Sequence, residues 1–115
     1  MVVHEMHIRE VYYVMIENGK KRVEGRTNDP DRQLVDVGDT IVFVCLGHEE
    51  KRLSCEVVRR TEYNTIRAMV EGEEHEALLP NTTSNDEAVA VYYSINGYRQ
   101  REAIYGMVAF AIELE

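Results

Sequence analysis

Apolar residues in the first half of the chain alternate in short runs, which a single helical repeat interrupts. Residues 10–18 repeat at helical spacing, and Gly19 is a natural stop for the helix that they predict. The predicted face of this helix carries Val11, Val14, Met15 and Asn18, with Tyr12 and Ile16 beside it. Strands are predicted over residues 2–8, 21–27, 41–46 and 51–60.

Turn residues separate these segments. Asn28-Asp29-Pro30-Asp31 predicts a turn, because proline presets φ and Asn and Asp side chains bond the local backbone. Val37-Gly38-Asp39 predicts a second turn, and residues 47–50 predict a hairpin loop.

Helices are the main prediction for the second half. Asn64 or Thr65 can cap a short helix through Val70, and residues 73–79 predict another that Pro80 stops. Residues 84–87 form a capping box before a helix that ends at Asn96-Gly97. The last segment predicts a strand with one apolar face, made of Val108, Phe110, Ile112 and Leu114.

The predicted order is roughly β, α, β, β, β, α, α, β, in which the short helical segments of residues 64–79 count as one, with no repeat and no linker. A chain of 115 residues favours one domain, residues 1–115. Hairpins with interspersed helices indicate the α+β class, with a small curved sheet or barrel closed by the C-terminal strand.

Composition narrows the function classes. The chain is 44% hydrophobic and 30% charged, which is typical of a globular protein. No apolar run reaches the length of a membrane span, so the cytoplasm is the expected location, without a membrane partner. A net charge of −8 disfavours broad non-specific binding of nucleic acid, although a local basic cleft for a nucleotide or short single strand is compatible with it.

Metal and cofactor motifs are not predicted. Cys45 and Cys55 lie in predicted strands without CxxC spacing, so we expect two reduced, buried thiols rather than a zinc site. There is no P-loop, GxGxxG, GxSxG or HExxH sequence.

The best chemical candidates are Lys21, Glu24 and Arg26. Glu24 and Arg26 project to the same side of a strand, and Lys21 joins them only if the strand begins after a turn or bulge. A poorly solvated lysine can act as a base, a carboxylate can activate water or accept from an amine, and an arginine can clamp a phosphate. The alternative is an exposed strand face with surface ion pairs.

Two further groups have weaker support. Arg59, Arg60 and Arg67 can form a phosphate-binding patch, but charged strand ends look the same. Tyrosines at positions 63, 92, 93, 98 and 105 can stack on bases, although core packing is the better interpretation of Tyr92 and Tyr105.

The sequence GKKRVEGR at residues 19–26 fits GxKxxExR and resembles the signature of ASCH domains. The downstream Asn28-Asp29, Arg32, the Val37-Gly38-Asp39 turn and the terminal Tyr105-Gly106-Met107-Val108 also resemble small single-domain bacterial members. The resemblance implies a PUA-like fold, a curved barrel-like sheet with flanking helices, and a cleft for RNA or a modified nucleobase.

By this resemblance, Lys21, Glu24 and Arg26 are the cleft lysine, carboxylate and arginine, and Asn28 and Arg32 complete the expected ligand-binding set. Some family members hydrolyse N(4)-acetylcytidine and others are described as ribonucleases. The amidohydrolases carry a threonine, held to be their nucleophile, where this chain has Glu24, so covalent amide hydrolysis does not follow.

Three functions are therefore open. The first is a module that binds RNA or a modified nucleotide, and the second is a small hydrolase with Lys21 and Glu24 as catalytic residues. The second catalytic carboxylate of the amidohydrolases has no clear counterpart among Glu71, Glu73, Glu74 and Glu76. The third is an interaction domain whose acidic segment, residues 71–87, docks a basic partner.

Overall fold

The structure, a computed structural model, describes residues 1–115 and contains five strands and six helices. The strands are β1 (Val3–Ile8), β2 (Val23–Thr27), β3 (Thr40–Cys45), β4 (His48–Tyr63) and β5 (Met107–Leu114). The helices are α1 (Glu10–Glu17), α2 (Pro30–Gln33), α3 (Ile66–Glu73), α4 (His75–Leu78), α5 (Asn85–Ser94) and α6 (Tyr98–Tyr105). None of the helices is long and apolar enough to cross a membrane.

All five strands form one mixed sheet in the order β1-β3-β4-β5-β2. β1 pairs with β3 in parallel, and the other neighbours are antiparallel. The C-terminal strand β5 joins β4 to β2, so β1 and β2 remain as the two edges. The sheet curls into a half-barrel, and Arg26 of β2 donates a hydrogen bond of 2.8 Å from Nη2 to the carbonyl oxygen of His7 in β1. The predicted α+β class with a curved sheet and flanking helices is confirmed.

The core lies between the curved sheet and the helices. β3 and β5 are its centre, because their apolar residues are buried on both faces. Phe43 and Phe110 are the largest side chains without solvent exposure. Cys45 and Cys55 are both buried and unbonded, as the sequence predicted.

Helix α1 buries a different face from the one predicted. Val11 and Val14 are exposed, whereas Tyr12, Tyr13 and Ile16 face the core. The buried set shares no residue with the four predicted positions, although Tyr12 and Ile16 were placed beside them, and the larger tyrosine side chains occupy the buried face. Gly19 ends α1 as predicted, because its φ of 82° reverses the chain before β2.

Several predicted boundaries were wrong. The β3–β4 turn is the pair Leu46-Gly47, so β4 already begins at His48 rather than after a longer loop. Helix α6 was not predicted, since Gly97 offers no capping side chain and only Tyr98 of the helix is buried. On β5 the alternation was misleading, because Met107–Phe110 is buried on both faces and Leu114 is exposed.

The predicted caps of the later helices are confirmed. Thr65 accepts a hydrogen bond from the Ala68 N–H at 3.0 Å and starts α3. Ser84 accepts from the Glu87 N–H at 3.1 Å and starts α5, while the Glu87 carboxylate accepts from the backbone of Thr83.

Candidate functional site

A cavity of about 290 Å³ opens where the two edges of the half-barrel approach each other. This volume is at the lower end of the range of small-ligand sites, roughly 300–1,000 Å³. The cavity lies beside the GxKxxExR segment. It is lined by His7, Ile8, Arg9, Tyr12, Lys21, Glu24, Gly25, Arg26, Leu46, Leu79, Val91, Tyr92, Ile95 and Tyr98.

Lys21 lies just before β2, and its side chain is almost completely buried. Its Nζ donates to the carbonyl oxygens of Val23, at 2.7 Å, and Leu78, and forms an ion pair of 3.0 Å with Oε1 of Glu24. An ammonium group has three N–H donors, so these three acceptors use all of them. The lysine therefore ties the end of α4 and the start of β2 to the carboxylate.

Glu24 and Arg26 form the second half of the cluster. Nε of Arg26 donates to Oε2 of Glu24 at 2.6 Å, so each carboxylate oxygen has one cationic partner. The side chains are 7% and 13% exposed, which contradicts the alternative of an open strand face with surface ion pairs. The sequence placed these two residues on one side correctly, and the turn at Gly19 brings Lys21 to them.

The buried charges shift one another's pKa values. Burial would raise the pKa of Glu24, but the charges of Lys21 and Arg26 outweigh it and lower that pKa. Burial lowers the pKa of Lys21, although the neighbouring carboxylate opposes this effect. The pKa of Arg26 is raised, since the Glu24 carboxylate overcomes the effect of burial. The carboxylate is thus held ionised and is a weak base near neutral pH.

Aromatic rings form another wall of the cavity. Tyr92 and Tyr98 are stacked with ring centroids 6.5 Å apart, and the guanidinium of Arg101 lies over Tyr98. Tyr12 has the Arg9 guanidinium at 5.4 Å and the Lys21 ammonium at 5.7 Å from its ring centroid. Cation–π contacts of this kind keep the positive charges close to the cavity.

Asn28 and Arg32, the remaining predicted ligand-binding residues, do not line this cavity. Asn28 accepts from Gln33 through its backbone carbonyl and from Arg60 through its side chain. Arg32 donates to Asp29 at 3.3 Å and lines a separate pocket beside β1. Both residues stabilise the turn that follows β2.

The predicted arginine patch is not present as a free surface. Arg59 forms a two-pronged ion pair with Glu73, Arg60 pairs with Glu62, and Arg67 contacts Asp86 and Glu71. None of the three lines the cavity. Tyr105, expected in the core, is 38% exposed.

Glu24 is the only carboxylate in the cavity lining. The four candidates for a second one, at positions 71, 73, 74 and 76, all lie elsewhere, and Glu73 is engaged by Arg59 and Tyr63. No group of three or more histidine, cysteine, aspartate or glutamate side chains is arranged to hold a metal ion.

Sequence reasoning missed several lining residues, among them Arg9, Leu46, Leu79 and Ile95. They come from a loop, a turn and helix ends that only the tertiary fold brings together. Tyr92 was interpreted as a core residue, and it is buried, but it also lines the cavity. The one available indication was the cluster of tyrosines in the second half of the sequence.

Comparisons with known proteins agree with this architecture. The chain is 35% identical to hypothetical protein PH0355, whose crystal structure matches with a TM-score of 0.87 over 99% of this chain and 100% of that chain. Protein PF0455 from Pyrococcus furiosus, solved by solution NMR, is 32% identical with a TM-score of 0.73 over 98% and 97%.

A serine-to-alanine mutant of ZmASCH from Zymomonas mobilis is 16% identical, with a TM-score of 0.64 over 96% of this chain and 67% of that chain, and it supports the fold alone. No curated protein matched the chain. The model of the ASCH domain family matches residues 6–115. The chain therefore belongs to the ASCH domain family, and its half-barrel is the PUA-like fold of that family.

Proposed function

We propose that this protein binds RNA or a modified nucleoside or nucleotide in the cavity beside Glu24 and Arg26. The supporting observation is that these two side chains lie together in the cavity wall with hydrogen-bonding capacity left over. Arg26 donates once to Glu24 and once to His7, so the rest of its five N–H donors remain available. Each carboxylate oxygen of Glu24 accepts from one cationic side chain and has a second lone pair that can accept from a ligand.

This pair offers a donor beside an acceptor. The edge of a nucleobase that carries a carbonyl oxygen or ring nitrogen next to an exocyclic amine has the complementary pattern. The apolar walls from Ile8, Leu46 and Val91 suit the faces of a planar ring. A small heterocycle therefore fits the lining better than a long duplex, which the net charge of −8 would repel.

Charge near the cavity favours a ligand that carries phosphate. Lys21, Arg26 and Arg9 line it with positive charge, against the single carboxylate of Glu24. Arg9 is exposed beside the Tyr12 ring and is free to contact solvent-side groups of a ligand. We assign phosphate contact to Arg9, because Arg26 faces the heterocycle beside Glu24 and all donors of Lys21 are engaged.

Lys21 accordingly acts as a positioning residue in this proposal. It fixes the Glu24 carboxylate and neutralises part of its charge without contacting the ligand. For the same reason it is a poor catalytic base, because it would need to abandon two backbone carbonyls and a carboxylate to offer a lone pair.

A thermal-shift screen against nucleosides, acetylated and methylated nucleosides, nucleotides and short single-stranded RNAs tests this function. A ligand that binds only the folded state raises the melting temperature. Leu46→Trp should abolish the shift, since Leu46 lies half-exposed in the cavity lining and a larger ring there obstructs the cavity. Val58→Trp is the matched control, because Val58 is exposed on β4 away from the cavity. A shift that persists in Leu46→Trp, or that no probe produces in the wild type, would refute the proposal.

A hydrolase is the second candidate, supported by the buried Lys21–Glu24 pair in a cavity. The test is to incubate the protein with N(4)-acetylcytidine and with short RNAs and to measure the products. Turnover that Glu24→Gln abolishes, at a temperature where circular dichroism shows the variant still folded, would establish catalysis at this site. Binding without turnover would reject the hydrolase and support the binding function.

A further inference from the structure

The hydroxyl group of Tyr92 has no hydrogen-bond partner, although the residue is only 3% exposed. A buried polar group without a partner costs roughly 1–3 kcal/mol, so native proteins retain few of them. Tyr92 also lines the cavity, together with Glu24 and Arg26. The unpaired hydroxyl therefore belongs to a residue of the cavity wall, where a ligand can supply the missing hydrogen-bond partner.

Packing fixes the position of this hydroxyl. A Cβ atom at Gly25 would lie 2.8 Å from the Tyr92 oxygen and 2.7 Å from Cε of Met69, so glycine provides the room for both. Gly25 separates Glu24 from Arg26 in β2. Because side chains alternate along β2, the hydroxyl contacts this strand on the face opposite to the Glu24 and Arg26 side chains, and residues of both faces line the cavity. On the other side, the ring is held against Tyr98.

The hydroxyl is a donor in this environment. Burial and the nearby Glu24 carboxylate raise the pKa of Tyr92 well above its usual value, so the proton stays in place at any physiological pH. A ligand atom opposite it gains most if it is an acceptor, such as a carbonyl oxygen or a ring nitrogen.

We propose that the Tyr92 hydroxyl is a specificity-determining group that donates a hydrogen bond to an acceptor atom at the buried end of a heterocyclic ligand. The proposal rests on the proposed function and extends it by stating which end of the ligand enters first. The heterocycle lies inside, at the edge of β2, with Tyr92 on one side of it and the Glu24–Arg26 pair on the other, and the sugar and phosphate point towards Arg9.

This arrangement predicts a trade-off between stability and binding. Removal of an unpaired buried hydroxyl relieves a penalty in the free protein, whereas the same removal deletes a contact in the complex. A hydroxyl with a purely structural role would show the opposite effect on the free protein, because its loss would break an existing bond.

Tyr92→Phe tests this inference with Tyr13→Phe as the matched control. Tyr13 is also a buried tyrosine, but it does not line the cavity. The melting temperature of each free protein is measured first. The affinity is then measured for the monophosphates of cytidine, N(4)-acetylcytidine, guanosine, adenosine and uridine. We expect Tyr92→Phe to melt at or above the wild-type temperature and to bind its preferred probe roughly 3- to 10-fold more weakly, the loss of one hydrogen bond.

Two outcomes overturn the inference. One is a free Tyr92→Phe protein that melts more than about 4 °C below wild type, the equivalent of about 1 kcal/mol, which would show that the hydroxyl is already bonded. The other is unchanged affinity for every probe that the wild type binds. If the wild type binds none of the probes, the proposed function fails, and so does the proposal that a heterocyclic ligand contacts Tyr92. The melting temperatures of the free proteins would still decide whether the hydroxyl is unpaired.

Discussion

Replacement of Glu24 by glutamine is the most direct test of the buried ionic cluster. The change keeps the size of the side chain but removes the only negative charge between Lys21 and Arg26. Both cations would then be buried beside a neutral amide, and the amide nitrogen would face an N–H donor on whichever side it occupied. The remaining contacts of Lys21 to two backbone carbonyls cannot compensate for the lost charge.

The magnitude follows from the burial of the pair. The Lys21 and Glu24 side chains are 1% and 7% exposed, and removal of one partner from such a pair typically costs about 3–5 kcal/mol. Unfolding entropy is about 2.1 cal/mol/K per residue, so this loss corresponds to a fall in melting temperature of roughly 12–20 °C for a chain of 115 residues.

Urea denaturation at pH 7 measures the loss, with Glu56→Gln as the matched control. Glu56 is exposed on β4 and should change stability by less than about 0.5 kcal/mol. A second measurement uses pH. The pKa of Glu24 is lowered in the folded state, with burial outweighed by its two cations, so its stabilising effect is present above the ordinary glutamate pKa. That effect disappears as the pH falls through the lowered value, and the acid decline should be shallower in Glu24→Gln. A stability within about 1 kcal/mol of wild type would refute the reasoning.

Three further changes test individual contacts. Gly25→Ala should cost roughly 1–3 kcal/mol in urea denaturation, because the new methyl group meets Cε of Met69 at 2.7 Å. Asp39→Asn should destabilise the protein at pH 7 and flatten its stability between about pH 4 and 2 in acid titration. The reason is that the Asp36 N–H, with other donors, lowers the pKa of Asp39 from 3.8 to about 2, so its contribution is lost on acidification through that window. Thr65→Ala should cost about 1 kcal/mol in the same urea assay, since α3 loses its cap; no change would mean that the bond to the Ala68 N–H is unimportant.

The sequence was sufficient for features that depend on near neighbours. Alternating or unbroken apolar runs located all five strands, and side-chain caps located α3 and α5, because those patterns reflect local geometry. The spacing of Glu24 and Arg26 likewise determined that they share one side of β2. The curved α+β architecture and the family followed from the order of these elements together with the motif.

Features that depend on tertiary packing were not predictable in this way. Whether Lys21 was exposed or buried depended on the end of α4, 57 residues away, where the Leu78 carbonyl accepts a hydrogen bond from its ammonium group. The face that α1 buries depended on its packing against β3. Helix α6 is polar on most sides, so its sequence carries little amphipathic pattern.

The same side chains close the fold and build the cavity, and this coupling determines how the site can be changed. Arg26 reaches across from one edge of the half-barrel to the carbonyl of His7 on the other, and Glu24 holds that guanidinium in place. Lys21 in turn holds Glu24 while anchored to the backbone. Substitutions within this cluster must therefore alter stability and binding together. Substitutions at Leu46 and Tyr92 lie in the cavity but outside the ionic cluster, so they are the changes that can separate ligand recognition from folding.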